Sequence, residues 1–147
     1  MLVLFGYPEA HEHNAEQAVH AGLELCAAVR ILRCDADLPL QCRVGIATGL
    51  VIVGGPGEAG GMRDHEIVGG APNLAARLAL SAPAGSVAVD PATRRLVGNL
   101  FDCRELGAIG PTDGTAPMRS WQVLGEAIIA SRFEAPARVG AEPTRRP

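Results

Sequence analysis

The chain has 147 residues and a formal net charge of −3, and all 13 of its basic residues are arginine. Chemistry that needs an ammonium group, whether a phosphate-loop lysine, a Schiff base or a lysine general base, is therefore excluded from these residues. The length suits one domain, which at roughly 150 residues hides about two-thirds of its unfolded surface; the mild acidity and scattered arginines argue against a nucleic-acid partner.

Leu2-Val3-Leu4-Phe5 is a short β-type run that ends at a Gly6-Tyr7-Pro8 turn. It lacks the basic leader of a signal peptide, so a cytoplasmic chain is expected. From Glu12 the period changes: Ala15, Ala18, Val19, Gly22, Leu23, Cys26 and Val29 recur at three- and four-residue steps, which predicts an amphipathic helix. Its acids Glu12 and Glu16 come early and Arg30 and Arg33 late, as the helix dipole prefers. Residues 40–48 and 50–53 are two β-rich runs hinged at Gly49, which predicts a hairpin. The apolar stretch 44–53 is too short for the ~20 residues that cross a bilayer, and no membrane association is expected.

Residues 54–64 hold five glycines and a proline, a loop composition. A short strand over 65–68 and a helix over 72–82 follow, the latter with Leu74, Ala75 and Leu78 on one face. Residues 86–89 read as a strand, and Asp90-Pro91 is a helix start, a capping carboxylate before proline at the first helical position. A short helix over 92–97 leads to strands at 101–106 and 119–124. Beyond Glu126 the periodicity fades into a Pro/Ala/Arg tail over 126–147. This order predicts an α+β sheet with helices packed on one side.

Gly55-Pro56-Gly57-Glu58-Ala59-Gly60 matches G-x-G-x-x-G, but no helix opens after it to receive a pyrophosphate, so it reads as a glycine loop. His11 and His13 are two apart and would not converge on one ion from a helix. Cys26, Cys34, Cys42 and Cys103 form no C-x-x-C pair and read as free thiols. The segment Ile67-Val68-Gly69-Gly70-Ala71-Pro72-Asn73-Leu74-Ala75-Ala76-Arg77-Leu78 is more specific. Asn73 and Arg77, four apart, share one helix face near its positive end, where an amide and a guanidinium suit a ribose oxygen and a phosphate.

That segment, with the run from Arg43 to Gly54 before it, resembles the class III adenylate/guanylate cyclase catalytic domain. Phe5-Gly6-Tyr7-Pro8-Glu9-Ala10-His11-Glu12, Ala15-Glu16-Gln17-Ala18-Val19, Ala92-Thr93-Arg94-Arg95-Leu96-Val97 and Arg119-Ser120-Trp121-Gln122-Val123 resemble it in the same order, specifically bacterial members in which the domain precedes an ATPase and regulatory region. The resemblance implies a ferredoxin-like cyclase sheet over residues 1–125, lacking its opening strand and first helices, with 126–147 as a disordered linker-like tail. It further implies a site built between two head-to-tail domains of a homodimer or heterodimer, where two Mg or Mn ions on two aspartates activate the ribose 3′-hydroxyl of ATP or GTP. Asn73 would orient the ribose, Arg77 would neutralise the phosphate in the transition state, and Glu66 would read the purine edge. Both metal aspartates fall before the matched region, and Thr112-Asp113 stand where a Lys-Gly usually anchors the triphosphate, so Asp113 would repel the nucleotide.

Two expectations follow. One is a partial cyclase domain, inactive alone, whose site is completed in trans. The other is a non-catalytic regulatory or dimerisation module, or a truncated product of a multidomain ATPase regulator. A sheet without its opening strand is expected to self-associate or to be marginally stable.

Overall fold

The computed structural model describes residues 1–32, 38–54, 67–110 and 116–128. The three- and four-residue apolar period produces α1 (Asn14–Ile31), which buries Ala18, Val19, Gly22 and Cys26, with Glu16 in its first turn and Arg30 in its last. Gly22 lets α1 settle closely on the sheet, since a Cβ there would stand 3.2 Å from Val87 Cγ2 and 3.3 Å from Val44 Cγ1. Strands β1 (Arg43–Ile46), β2 (Ile52–Val53) and β3 (Ile67–Val68) precede α2 (Gly70–Ser81), which begins two residues before the expected start. Then come β4 (Ser86–Val89), α3 (Pro91–Val97), β5 (Phe101–Ile109) and β6 (Met118–Glu126).

The main sheet has the order β1-β4-β6-β5; β1 runs parallel to β4, and β6 is antiparallel to both β4 and β5. The α+β class holds. Side chains along β4 alternate between two helix layers. Val87 and Val89 join Val19 and Cys26 of α1, Val97 of α3, Phe101 and Val123 on one face. Ala88 meets Leu78 and Ala82 on the other. The expectation of helices on one side thus holds for α1 and α3 only, and α2 covers the opposite face. All four residues of β4 are buried, as a doubly covered central strand requires.

Two local expectations fail for want of a partner. Residues 2–5 form no strand; Leu2 and Val3 are more than half exposed, with no ladder to receive their backbone groups. The β1–β2 hairpin is also absent: β1 pairs with β4, while β2 pairs antiparallel with β3, Ile52 opposite Val68. The composition-based loop at 55–64 and the tail at 129–147 lie outside the described residues. On the solvent side of β5 and β6, Arg119 donates Nε and Nη2 to the two Glu105 carboxylate oxygens at 2.8 Å each. Those bonds hold Glu105 below its usual carboxylate range.

The turn after β1 is fastened by a buried polar cluster. Asp90, 3% exposed, caps α3 by accepting from Thr93 N–H at 2.9 Å and accepts from Thr48 N–H at 3.4 Å. The Thr48 and Thr93 hydroxyls are 2.8 Å apart. Asp90→Ala leaves both amide donors without this acceptor and is expected to cost about 2 kcal/mol, the upper end for a lost cap. Urea unfolding followed by far-ultraviolet circular dichroism measures it; a loss below about 0.5 kcal/mol would show that water replaces the carboxylate without penalty.

Candidate functional site

α2 carries both of the residues singled out by spacing. It starts where the chain leaves β3: a Cβ on Gly69 would lie 2.7 Å from the Leu50 carbonyl oxygen, so only glycine fits that junction. Pro72 falls in the first turn, where its missing N–H costs no helical bond. Leu78, 1% exposed, anchors the inward face together with half-buried Leu74. The helix lies directly on β1 at Gly45, where a Cβ would stand only 1.9 Å from the Ala75 carbonyl oxygen.

Asn73 is exposed and Arg77 half-buried, one turn apart on α2. Arg77 donates an Nη2 hydrogen to the carbonyl of Gly110, which follows β5. That bond holds the guanidinium at the junction of α2 and the end of β5 while leaving most of its five N–H donors for an anion. Arg119 differs, because its fork is committed to a carboxylate. The first turn of α2 contains no acidic residue to offset the positive helix end.

Glu66 lies outside the described residues, as do Thr112 and Asp113. Asn73 and Arg77 belong to neither of two shallow hollows, one against Phe5 and Tyr7 and the other against Phe101 and Asp102. Among the described residues no group of three His, Cys, Asp or Glu side chains is placed to hold a metal ion, so these donors do not fit the pair of divalent ions that the resemblance implies. No helix among them is long and apolar enough to cross a membrane.

Sequence spacing located Asn73 and Arg77 but missed what positions them. Gly110 is 33 residues from Arg77, and Thr48 is 42 from Asp90, so neither pairing has a local signature. Asp90-Pro91 did carry a signal, and its cap formed as expected.

The family model for the "Adenylate and Guanylate cyclase catalytic domain" matches residues 1–125. An uncharacterised protein of Rhizobium meliloti (strain 1021) is 36% identical over 141 residues, which are 95% of this chain and 14% of that protein. An adenylate cyclase of Mycobacterium tuberculosis (strain ATCC 25618 / H37Rv) is 28% identical over 142 residues, 97% of this chain and 31% of its own length. The chain therefore spans less than a third of these relatives. Among solved structures, the adenylyl cyclase CyaB from P. aeruginosa has a TM-score of 0.71 at 29% identity, covering 82% of this chain and 64% of that one. The guanylate cyclase domain of RhGC from Catenaria anguillulae, solved in complex with GTP, has a TM-score of 0.72 at 22% identity, covering 83% and 65%, a likeness of fold.

Proposed function

The chain belongs to the adenylate and guanylate cyclase catalytic domain family, and from that premise we propose that residues 1–125 supply the Asn73 and Arg77 half of a nucleotide site completed by a second domain. In this reading Asn73 orients the ribose, Arg77 neutralises charge on the α-phosphate as the 3′-hydroxyl attacks, and Glu66 accepts from the purine edge. The products are a cyclic nucleotide and pyrophosphate, formed in cyclic-nucleotide signalling in the cytoplasm. The observation that carries the reading is Arg77, held by the Gly110 carbonyl one helical turn from an exposed Asn73.

Divalent ions supply the activation of the hydroxyl in this family. The described residues offer no donor set for them, so the carboxylates have to come from outside those residues or from a partner chain, and the chain alone is read as inactive. Exposed Leu50, Ile52 and Val68 around the β2–β3 ladder give apolar surface for a cyclase-type dimer, homomeric or heteromeric. Residues 126–147 are read as a linker.

The test is complementation. The partner is a cyclase domain that keeps its metal aspartates but has its own ribose-orienting asparagine and phosphate arginine replaced, so that turnover requires Asn73 and Arg77. Cyclic AMP and cyclic GMP are both measured with Mn²⁺, which also decides between ATP and GTP. Mixing is expected to raise one product above either chain alone. No rise at saturating partner, with complex formation verified by sedimentation, would overturn the catalytic reading in favour of a non-catalytic dimerisation module.

A further inference from the structure

Cys26 and Cys42 are sixteen residues apart in sequence, yet their sulfur atoms lie 3.4 Å from each other. Cys26 is on the buried face of α1, one turn beyond Gly22, whose lack of a side chain brings that helix onto Val44 and Val87. Cys42 immediately precedes β1, and its carbonyl accepts from Gly85 N–H at 2.7 Å, which fixes the backbone at the entry to the strand. Both main chains are thus held by the fold, and the sulfurs need only about 1.3 Å of further approach to reach bonding distance. Cys103 is placed differently, its thiol directed at the Phe101 carbonyl at 3.7 Å.

We propose that Cys26 and Cys42 are a redox-active pair that a low-molecular-weight disulfide, such as oxidised glutathione, converts into a disulfide joining α1 to the start of β1. Accessibility orders the steps, because Cys42 is partly exposed whereas Cys26 is buried. The Cys42 thiolate attacks one sulfur of the small disulfide, whose S–S bond breaks and whose other half leaves as a thiolate that takes up a proton. Cys26 then attacks the Cys42 sulfur, expelling the second small thiolate, which takes up the proton that Cys26 gives up. Two protein thiols are oxidised by two electrons, and one disulfide is reduced to two thiols.

The resting pair is stable as thiols. Burial first, then the hydrogen bond and charge of Cys42, push the Cys26 thiol up to about 12, with Arg30 pulling weakly the other way. Once Cys42 has become a mixed disulfide, its bond and its charge no longer raise Cys26, while burial still does. This inference stands apart from the nucleotide reading and needs neither metal nor a partner domain.

The whole chain is incubated with oxidised glutathione, alkylated under denaturing conditions, digested and mapped by mass spectrometry, and its thermal midpoint is measured before and after treatment with dithiothreitol. A Cys26–Cys42 cross-linked peptide is expected, with a midpoint raised by about 10 °C, as closing a loop of this length predicts, and returned by reduction. Cys42→Ser should abolish both effects and Cys103→Ser neither. Cross-links through Cys34, glutathione retained on Cys42 without transfer to Cys26, or the paired disulfide with an unchanged midpoint would each overturn the proposal. The peptide map of the unmutated chain decides even if a variant fails to fold.

Discussion

Gly45→Val is expected to remove about 4 kcal/mol or more of folding stability, beyond the ~1–3 kcal/mol of ordinary overpacking, and to dislodge the helix that carries Asn73 and Arg77. The reason is what a Cβ would meet. Besides the Ala75 carbonyl oxygen, it would stand 2.5 Å from the Ala79 nitrogen and 2.9 Å from Leu78 Cβ. Two of these three are backbone atoms, which cannot rotate aside as a flexible side-chain tip would. Relief requires α2 to lift from β1, and that lift uncovers Leu78 and Ala88, the centre of the core on that face.

Gly70, at the start of the same helix, is the control: a Cβ there meets nothing within 4 Å. Gly70→Ala is expected to be neutral or to stabilise by about 0.5 kcal/mol through the unfolded state. Urea unfolding of the two variants side by side separates a general effect of lost glycine from the close approach of α2 to β1. Equal midpoints would mean that the helix tolerates displacement from β1.

How much of this was legible in sequence depended on the range of each contact. The three- and four-residue period of α1 was readable because a helix face is a local property, and Ala18, Val19, Gly22 and Cys26 went inside as that period implies. Asp90-Pro91 was readable for the same reason, since a cap needs only its next three residues. The two β-rich runs around Gly49 predict a hairpin through chain proximity alone, and that proximity does not set their pairing. What decides the matter is remote: Asp90 takes the Thr48 N–H, the Thr48 and Thr93 hydroxyls share a hydrogen bond, and β1 joins β4 in parallel. Residues 2–5 have strand composition, but β propensity describes fit to a neighbouring strand, and none pairs with them among the described residues.

The second helix layer does have a sequence signal, in β4. Ser86-Val87-Ala88-Val89 lacks the apolar/polar alternation of a half-solvated strand, and a continuous small-and-apolar run is what a strand covered on both faces requires. In the candidate site the four-residue spacing of Asn73 and Arg77 was sufficient to place them together, because α2 is regular. The hold of Gly110 on Arg77 and the approach of Cys26 to Cys42 were not legible, since each joins segments that only the tertiary fold brings together.

Arg77→Ala is expected to lower the turnover of a complemented site by about 10²–10³-fold, the usual consequence of removing one preorganised donor from developing negative charge. The loss should fall on kcat with KM little changed, because charge that builds on the phosphate is greatest in the transition state. Arg77→Lys is expected to recover little. A single ammonium cannot both donate to Gly110 and present a planar fork to a phosphate, whereas the guanidinium has donors enough for both. Folding provides the independent readout: the bond lost to the Gly110 carbonyl is a single exposed one, which costs about 1 kcal/mol or less, so both variants should remain folded and bind the partner domain. A variant that keeps full turnover would assign Arg77 the structural task of joining α2 to the end of β5. One that loses turnover only in proportion to lost stability would do the same, while a collapsed kcat in a variant that stays folded and still binds the partner would assign it to the phosphate.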